Sequence, residues 1–174
     1  MKRPGTAGDL AVSAERLRLE FDDSFSRPAD IERPASTRLL LLTLGETEAA
    51  IAVDHLASLH EVDTVVPLPT SLDELLGLVS LGGRVYPCFS LASLLDLEAG
   101  EPRWLLVLQR APVVLAVDGL AGQFLVETDT IRADAAGHGS PFIGRVRHGE
   151  NDLKILDADA ILDRLRQLTG EGGE

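Results

Sequence analysis

Four histidines, two aspartates in matching surroundings, a single cysteine and one loop serine are the residues whose types could do chemistry in this chain. His55 and His60 stand five apart, which neither shares one face of a strand nor fits the i, i+4 spacing of a zinc helix, and no H-E-x-x-H occurs. His138 lies in Gly137-His138-Gly139-Ser140, whose serine lacks the G-x-S-x-G context of a nucleophile elbow. The histidines, His148 among them, therefore read as solvated or capping residues. Asp54 and Asp118 each close an apolar run before a turn. Paired carboxylates raise acid–base chemistry, yet at strand ends aspartate caps backbone N–H groups, and duplication accounts for the pair. Cys88, between Pro87 and Phe89, reads as a buried thiol with a raised pKa, not a nucleophile. Gly82-Gly83 belongs to no phosphate-binding pattern, and Trp104 reads as a core or edge anchor. No catalytic, metal or cofactor constellation follows from these residues, so the chain reads as noncatalytic.

Composition narrows the classes further. The 174 residues suffice for one domain, or for two small barrels sharing a core, and 45% are hydrophobic while only 4% are aromatic. Leucine, valine, isoleucine and alanine must then build the interior. A formal net charge of −12 repels polyanions over a Debye length of ~10 Å, which argues against nucleic acid and anionic membranes. It serves solubility, or offers an acidic face to a basic partner. The lone cysteine excludes an intramolecular disulfide and a cysteine-cluster metal site. With no secretory h-region and no run near the ~18 apolar residues of a membrane span, the expected location is the cytoplasm, without membrane insertion.

The elements that must position any site are short. Gly77 to Leu97 reads as strand, Gly82-Gly83 turn, strand and a helix capped by Ser90, running through Leu91, Leu94 and Leu95. Apolar runs of strand length recur at Leu39–Leu44, Ala49–Val53, Leu59–Val66, Trp104–Leu108, Val113–Val117, Gln123–Thr130, Phe142–Val146 and Leu153–Leu156. Such runs with few helical patterns predict a mainly β barrel or sandwich. An internal repeat organises them. An offset of 64 sets Ile51-Ala52-Val53-Asp54 on Leu115-Ala116-Val117-Asp118, and an offset of 67 sets Cys88-Phe89-Ser90 on Ile155-Leu156-Asp157. Each half then carries strands, a hairpin, a capping Ser or Asp and a closing helix, the last holding Ile161, Leu162, Leu165 and Leu168 until Gly170. Two facing barrels would share a seam suited to a partner strand or helix. Residues 1–36 form an N-terminal extension. In it Leu10, Ala14, Leu17, Phe21 and Phe25 predict an amphipathic helix over about Asp9 to Ser26, followed by a proline-bearing linker. The domain spans 37–168, and 169–174 read as a disordered tail.

The segment Gly77-Leu78-Val79-Ser80-Leu81-Gly82-Gly83-Arg84-Val85-Tyr86-Pro87-Cys88-Phe89-Ser90-Leu91 resembles the hallmark of the CheW-like family, G-x-x-N-L-R-G-x-[VI]-[IV]-P-[VI]-[IVF]-D-L, through Gly77, Leu81, Gly83, Val85, Pro87 and Leu91. The stretch from Ala116 and the Leu153-to-Asp157 segment are similar to two further family motifs, so the resemblance covers about Arg38 to Leu168. It implies two similar five-stranded β-barrel subdomains around a shared hydrophobic core, with short helices and a C-terminal helix. It also implies a noncatalytic, cytoplasmic adaptor coupling the cytoplasmic tip of a chemoreceptor to the regulatory domain of a CheA-type histidine kinase. Gly82 stands where the family carries its coupling arginine, Ser90 where it carries aspartate, and Ala92 where an arginine follows. A missing guanidinium removes a charge-assisted contact of ~1.5–3 kcal/mol.

Partner binding is accordingly expected at Val79, Leu81, Gly82, Arg84, Val85 and Tyr86. Two other readings compete with the adaptor. One is a divergent interaction module outside standard chemotaxis, localising a partner through the N-terminal helix. The other is a small β-barrel hydrolase or ligand-binding protein, which would need a convergent His, carboxylate and nucleophile.

Overall fold

Leu39 to Leu42 are buried without a break, although a strand points successive side chains to opposite faces. Both faces of that strand are therefore covered, and this requirement shapes the whole domain. The structure is a computed structural model describing residues 35–134 and 140–170. The expected N-terminal helix, the 137–139 loop residues and the last four residues lie outside the described ones.

The strands are β1 (Ser36–Leu44), β2 (Thr47–Ala52), β3 (Leu56–Glu61), β4 (Leu75–Leu81), β5 (Arg84–Ser90), β6 (Trp104–Leu108), β7 (Val114–Val117), β8 (Gly119–Glu127), β9 (Arg132–Ala133), β10 (Phe142–His148) and β11 (Asn151–Leu156). Helix α1 (Leu91–Leu94) follows β5, and α2 (Ala158–Gly170) follows β11. Helix α2 thus runs two residues into the stretch expected to be a disordered tail, because Leu165 is buried and its carbonyl accepts a hydrogen bond from the Thr169 hydroxyl at 2.8 Å.

The strands form a six-stranded sheet in the order β8-β1-β2-β11-β10-β9 and a five-stranded sheet in the order β3-β6-β7-β5-β4. Each curls around its own interior. In the first, Phe124 and Val126 of β8 reach the same cluster as Val146 of β10, together with Leu39, Leu41, Ala50 and Ile155. In the second, Val79, Cys88, Leu105, Val107 and Val114 form the equivalent cluster. The alternate residues Leu40, Leu42 and Ile51 of one sheet meet Phe89, Leu106, Leu115 and Val117 of the other in a third, shared core. Helix α2 closes that core with Ala158, Ile161, Leu162 and Leu165, an i, i+3, i+4, i+7 stripe.

Strand exchange joins the sequence halves. β5 pairs in parallel with β7 of the second half through Cys88 and Val114, and β11 pairs with β2 of the first half through Ile155 and Ala50. Under the repeat offsets these are the same pairing, so each barrel takes strands from both halves. Both hairpins also shift register at one place, between Leu75 and Gly77 in β4 and between Phe142 and Gly144 in β10. There a Cβ on Gly77 would overlap the Val66 carbonyl and Pro67 Cα, and one on Gly144 would overlap the Arg132 carbonyl. The Val66–Leu78 bridge is thus the counterpart of the two-residue β9. This is why one sheet has five strands and a bridge while the other has six.

The caps repeat as well. Ser90 Oγ accepts from the Ser93 N–H at 3.2 Å, and Asp157 Oδ1 accepts from the Ala160 N–H at 3.1 Å. The matching aspartates do not behave alike. Asp118 Oδ2 accepts from the Gly45 and Gly100 N–H groups, tying the β1–β2 turn to the segment before β6. Asp54 lies exposed in a 3-10 turn, Val53–His55.

Candidate partner-binding surface

The hairpin β4–β5 turns on Gly82 and Gly83, with φ of 55° and 77°. Two consecutive positive φ values belong to a type I′ turn, whose twist matches that of the strands it joins. A Cβ at either glycine would meet nothing within 4 Å, so the turn stands in solvent. Leu81 pairs with Arg84, Ser80 with Val85, Val79 with Tyr86 and Leu78 with Pro87. Residues directly opposite share a face, and the hairpin therefore sorts the six expected binding residues.

Val79 points inward and is only 2% exposed, packed with Cys88, Leu105 and Val107. This corrects its place among the contact candidates, since a partner cannot reach a side chain filling the barrel. With apolar Leu78 and Val85 on the outer face as well as Val79 on the inner one, the run carries no mark of which residues point outward. Leu81 and Tyr86 are half-buried at the edge of the same cluster, and Arg84, opposite Leu81, is exposed. Val85 faces the other way and is 64% exposed. Gly82, Arg84 and Val85 are thus the open members of the set.

Val85 has apolar neighbours that the hallmark alone does not single out. Val66 and Leu78 exchange backbone hydrogen bonds of 2.8 Å in both directions, and Leu78 stands opposite Pro87. Val66, Leu78 and Pro87 therefore form one row across three adjacent segments, with Val85 one position along. Val66 is 57% exposed. Its signal in the sequence is the valine pair Val65-Val66 leading into Pro67, but the bridge to Leu78 is a tertiary contact. A small cleft of about 210 Å³ opens beside the hairpin between Glu61, Asp63, Val66, Ser80 and Leu81.

The groups with chemical potential stay apart. His60 Nε2 lies 2.9 Å from Ser58 Oγ, two residues away on the same strand face, where two half-buried polar groups satisfy each other. His148 stacks on Phe124 with ring centroids 4.1 Å apart. Burial pushes the Cys88 thiol up from 9.0 to about 11, which disfavours the nucleophilic thiolate. Trp104 is half-buried at the start of β6 against the shared core. Among the described residues, no three His, Cys, Asp or Glu side chains group as metal ligands would, and no helix is long and apolar enough to cross a membrane.

The family model for the CheW-like domain matches residues 38–166, from β1 into α2. The chain belongs to the CheW-like family. CheW-like domains are noncatalytic scaffolds of chemotaxis signalling that bind CheA and receptors. Among solved structures, the scaffolding protein TtCheW from Thermoanaerobacter tengcongensis is similar in fold, with a TM-score of 0.63 and 11% identity over 71% of this chain and 90% of that one. No curated protein matches the sequence. In this CheW-like chain the segment that resembles the family hallmark is the β4–β5 hairpin, with this chain's Gly82-Gly83 as the solvent-exposed turn and Ser90 at the capping position.

Proposed function

We propose that this chain is an adaptor that couples the cytoplasmic tip of a chemoreceptor to the regulatory domain of a CheA-type histidine kinase through protein–protein contacts alone. One observation carries the reading: the family match spans both barrels and the shared core, not one motif, so the whole scaffold is present. The contact surface is the outer side of the β4–β5 hairpin, namely Val85 with the row Val66, Leu78 and Pro87, with Gly82 and Arg84 at its tip. Leu81 and Tyr86 form its edge. Burying Val66 and Val85 against a partner would contribute ~1.5–3 kcal/mol for each side chain fully covered, enough for a moderate, exchangeable complex.

A second reading is favoured by Gly82. The turn offers open space where the family carries its arginine, so receptor coupling lacks one charge-assisted contact and another partner is admitted. In that reading the chain is a divergent module that acts outside standard chemotaxis and localises its partner through residues 1–36.

A pull-down of the purified chain with the kinase regulatory domain, repeated after deletion of residues 1–35, separates the two. The adaptor binds in both forms. A chain that fails to bind the regulatory domain is not this adaptor, and loss of a partner on deletion alone supports the divergent module.

A further inference from the structure

The row that is apolar in one barrel is cationic in the other. Arg145 on β10 stands opposite Arg132 of β9 on one side and opposite Lys154 of β11 on the other, so three positive residues lie abreast on three adjacent strands. Their apolar counterparts under the repeat are Val66, Leu78 and Pro87. Arg147 extends the positive face one pleat along, where its equivalent is Ser80. Arg132, Arg145 and Lys154 are all exposed, and a cleft of about 870 Å³ lined by Arg132, Arg145 and Arg147 and by Asp129, Asp134 and Asp152 opens beside them.

Like charges placed directly opposite each other in a sheet destabilise it. Asp134 offsets part of this by accepting from Arg145 Nε at 3.3 Å, and Asp152 stands opposite Arg147. Lys154 Nζ lies 4.9 Å from the Phe142 ring centroid, which holds the ammonium over that ring. Four cations, Arg132, Arg145, Arg147 and Lys154, stand with three carboxylates, Asp129, Asp134 and Asp152, in a chain whose formal net charge is −12.

We propose that this face of β9, β10 and β11 is a second docking surface, one that takes an acidic segment of a partner protein with carboxylates against Arg132, Arg145 and Lys154. The negative charge of the whole chain selects this occupant. A long polyanion or an anionic membrane would extend past the patch into repulsion, whereas a short acidic segment ends within it. The surface lies on the opposite barrel from the hairpin and does not depend on the adaptor reading.

The test uses the full chain and a short end-blocked peptide of alternating glutamate and valine, with the lysine–valine peptide as control. Saturable binding is expected, weakening as salt rises, with amide shifts at Arg132, Arg145 and Lys154. Arg145→Glu should lower the affinity at least ~10-fold, the loss of one or more charge-assisted contacts. Lys154→Glu should weaken binding while raising Tm by ~1–4 °C, because it turns a repulsive cross-strand pair into an attractive one. Absence of binding, shifts confined to other faces, or a fall in Tm with Lys154→Glu overturns the proposal. So does equal, Arg145-dependent binding of duplex DNA or phosphatidylserine vesicles. Self-association of the chain that Arg145→Glu abolishes would make a second copy the occupant and overturn it too.

Discussion

Leu78 and Arg145 occupy the same place in the two barrels: each is the middle residue of a row of three, one flanked by Val66 and Pro87, the other by Arg132 and Lys154. The backbone that presents them is duplicated, while the chemistry presented is apolar on one side and cationic on the other. Two surfaces of one scaffold can thus hold different partners without competing for the same residues.

The hairpin provides a sharp contrast between neighbours. Val85→Glu should leave Tm within about 2 °C, as an exposed substitution does, and reduce co-sedimentation with receptor and kinase by ~10-fold or more. Val79→Ala should instead cost ~1–3 kcal/mol in urea denaturation, by opening space beside Cys88 and Leu105, with partner affinity retained. If the two variants exchanged these effects, the inward and outward assignments of β4 and β5 would be wrong.

Gly82→Arg puts a guanidinium where the family carries one. The new side chain meets open space, and its cost is the positive φ of 55°, of order 1–2 kcal/mol. Co-sedimentation with receptor and kinase should rise by ~10-fold. An unchanged affinity in a folded variant would show that the arginine is not what coupling lacks.

Gly77 and Gly144 should both be intolerant, Gly77 the more so because its φ of 143° adds backbone strain. Gly77→Ala and Gly144→Ala each force a Cβ onto a neighbouring backbone carbonyl, and each should lower stability by ~2 kcal/mol or more in thermal or urea denaturation. Ala at Gly83, where space is open and only the φ of 77° resists, should cost less.

Cys88 sets a pH limit. Its pKa stands near 9.0 in the unfolded chain and is pushed up to about 11 in the folded one, so between these values the unfolded state has lost a proton that the folded state keeps. Stability is therefore unaffected by this group below pH 9 and declines as pH rises from 9 to 11, with slope set by one proton. Cys88→Ser should remove that decline in denaturation measured across the window. The native thiol should react with an aromatic disulfide reagent at pH 8 only after unfolding.

Local rules made much of this protein legible before any fold was drawn. Gly82-Gly83 between apolar runs dictates the hairpin turn, Ser90 and Asp157 dictate helix starts, and Ile161, Leu162, Leu165 and Leu168 dictate α2, because turns, caps and helix periodicity depend on residues a few positions apart. The repeat likewise showed in the sequence that Asp157 does again what Ser90 does. Three matters were decided only by the tertiary structure. Exchange of β5 and β11 between the halves depends on parallel pairings with β7 and β2, far along the chain, and no local signal encodes them. The inward turn of Val79 depends on the barrel interior that it fills, and the outer row of the same hairpin is apolar too, which removes the polar alternation that would reveal direction. The rows through Leu78 and Arg145 depend on Val66 and Arg132 arriving at glycine-opened gaps beside the hairpins. The sequence by itself determined that the hairpin would be there; which of its faces a partner can reach follows from packing, because burial is a property of what lies on the other side of a strand.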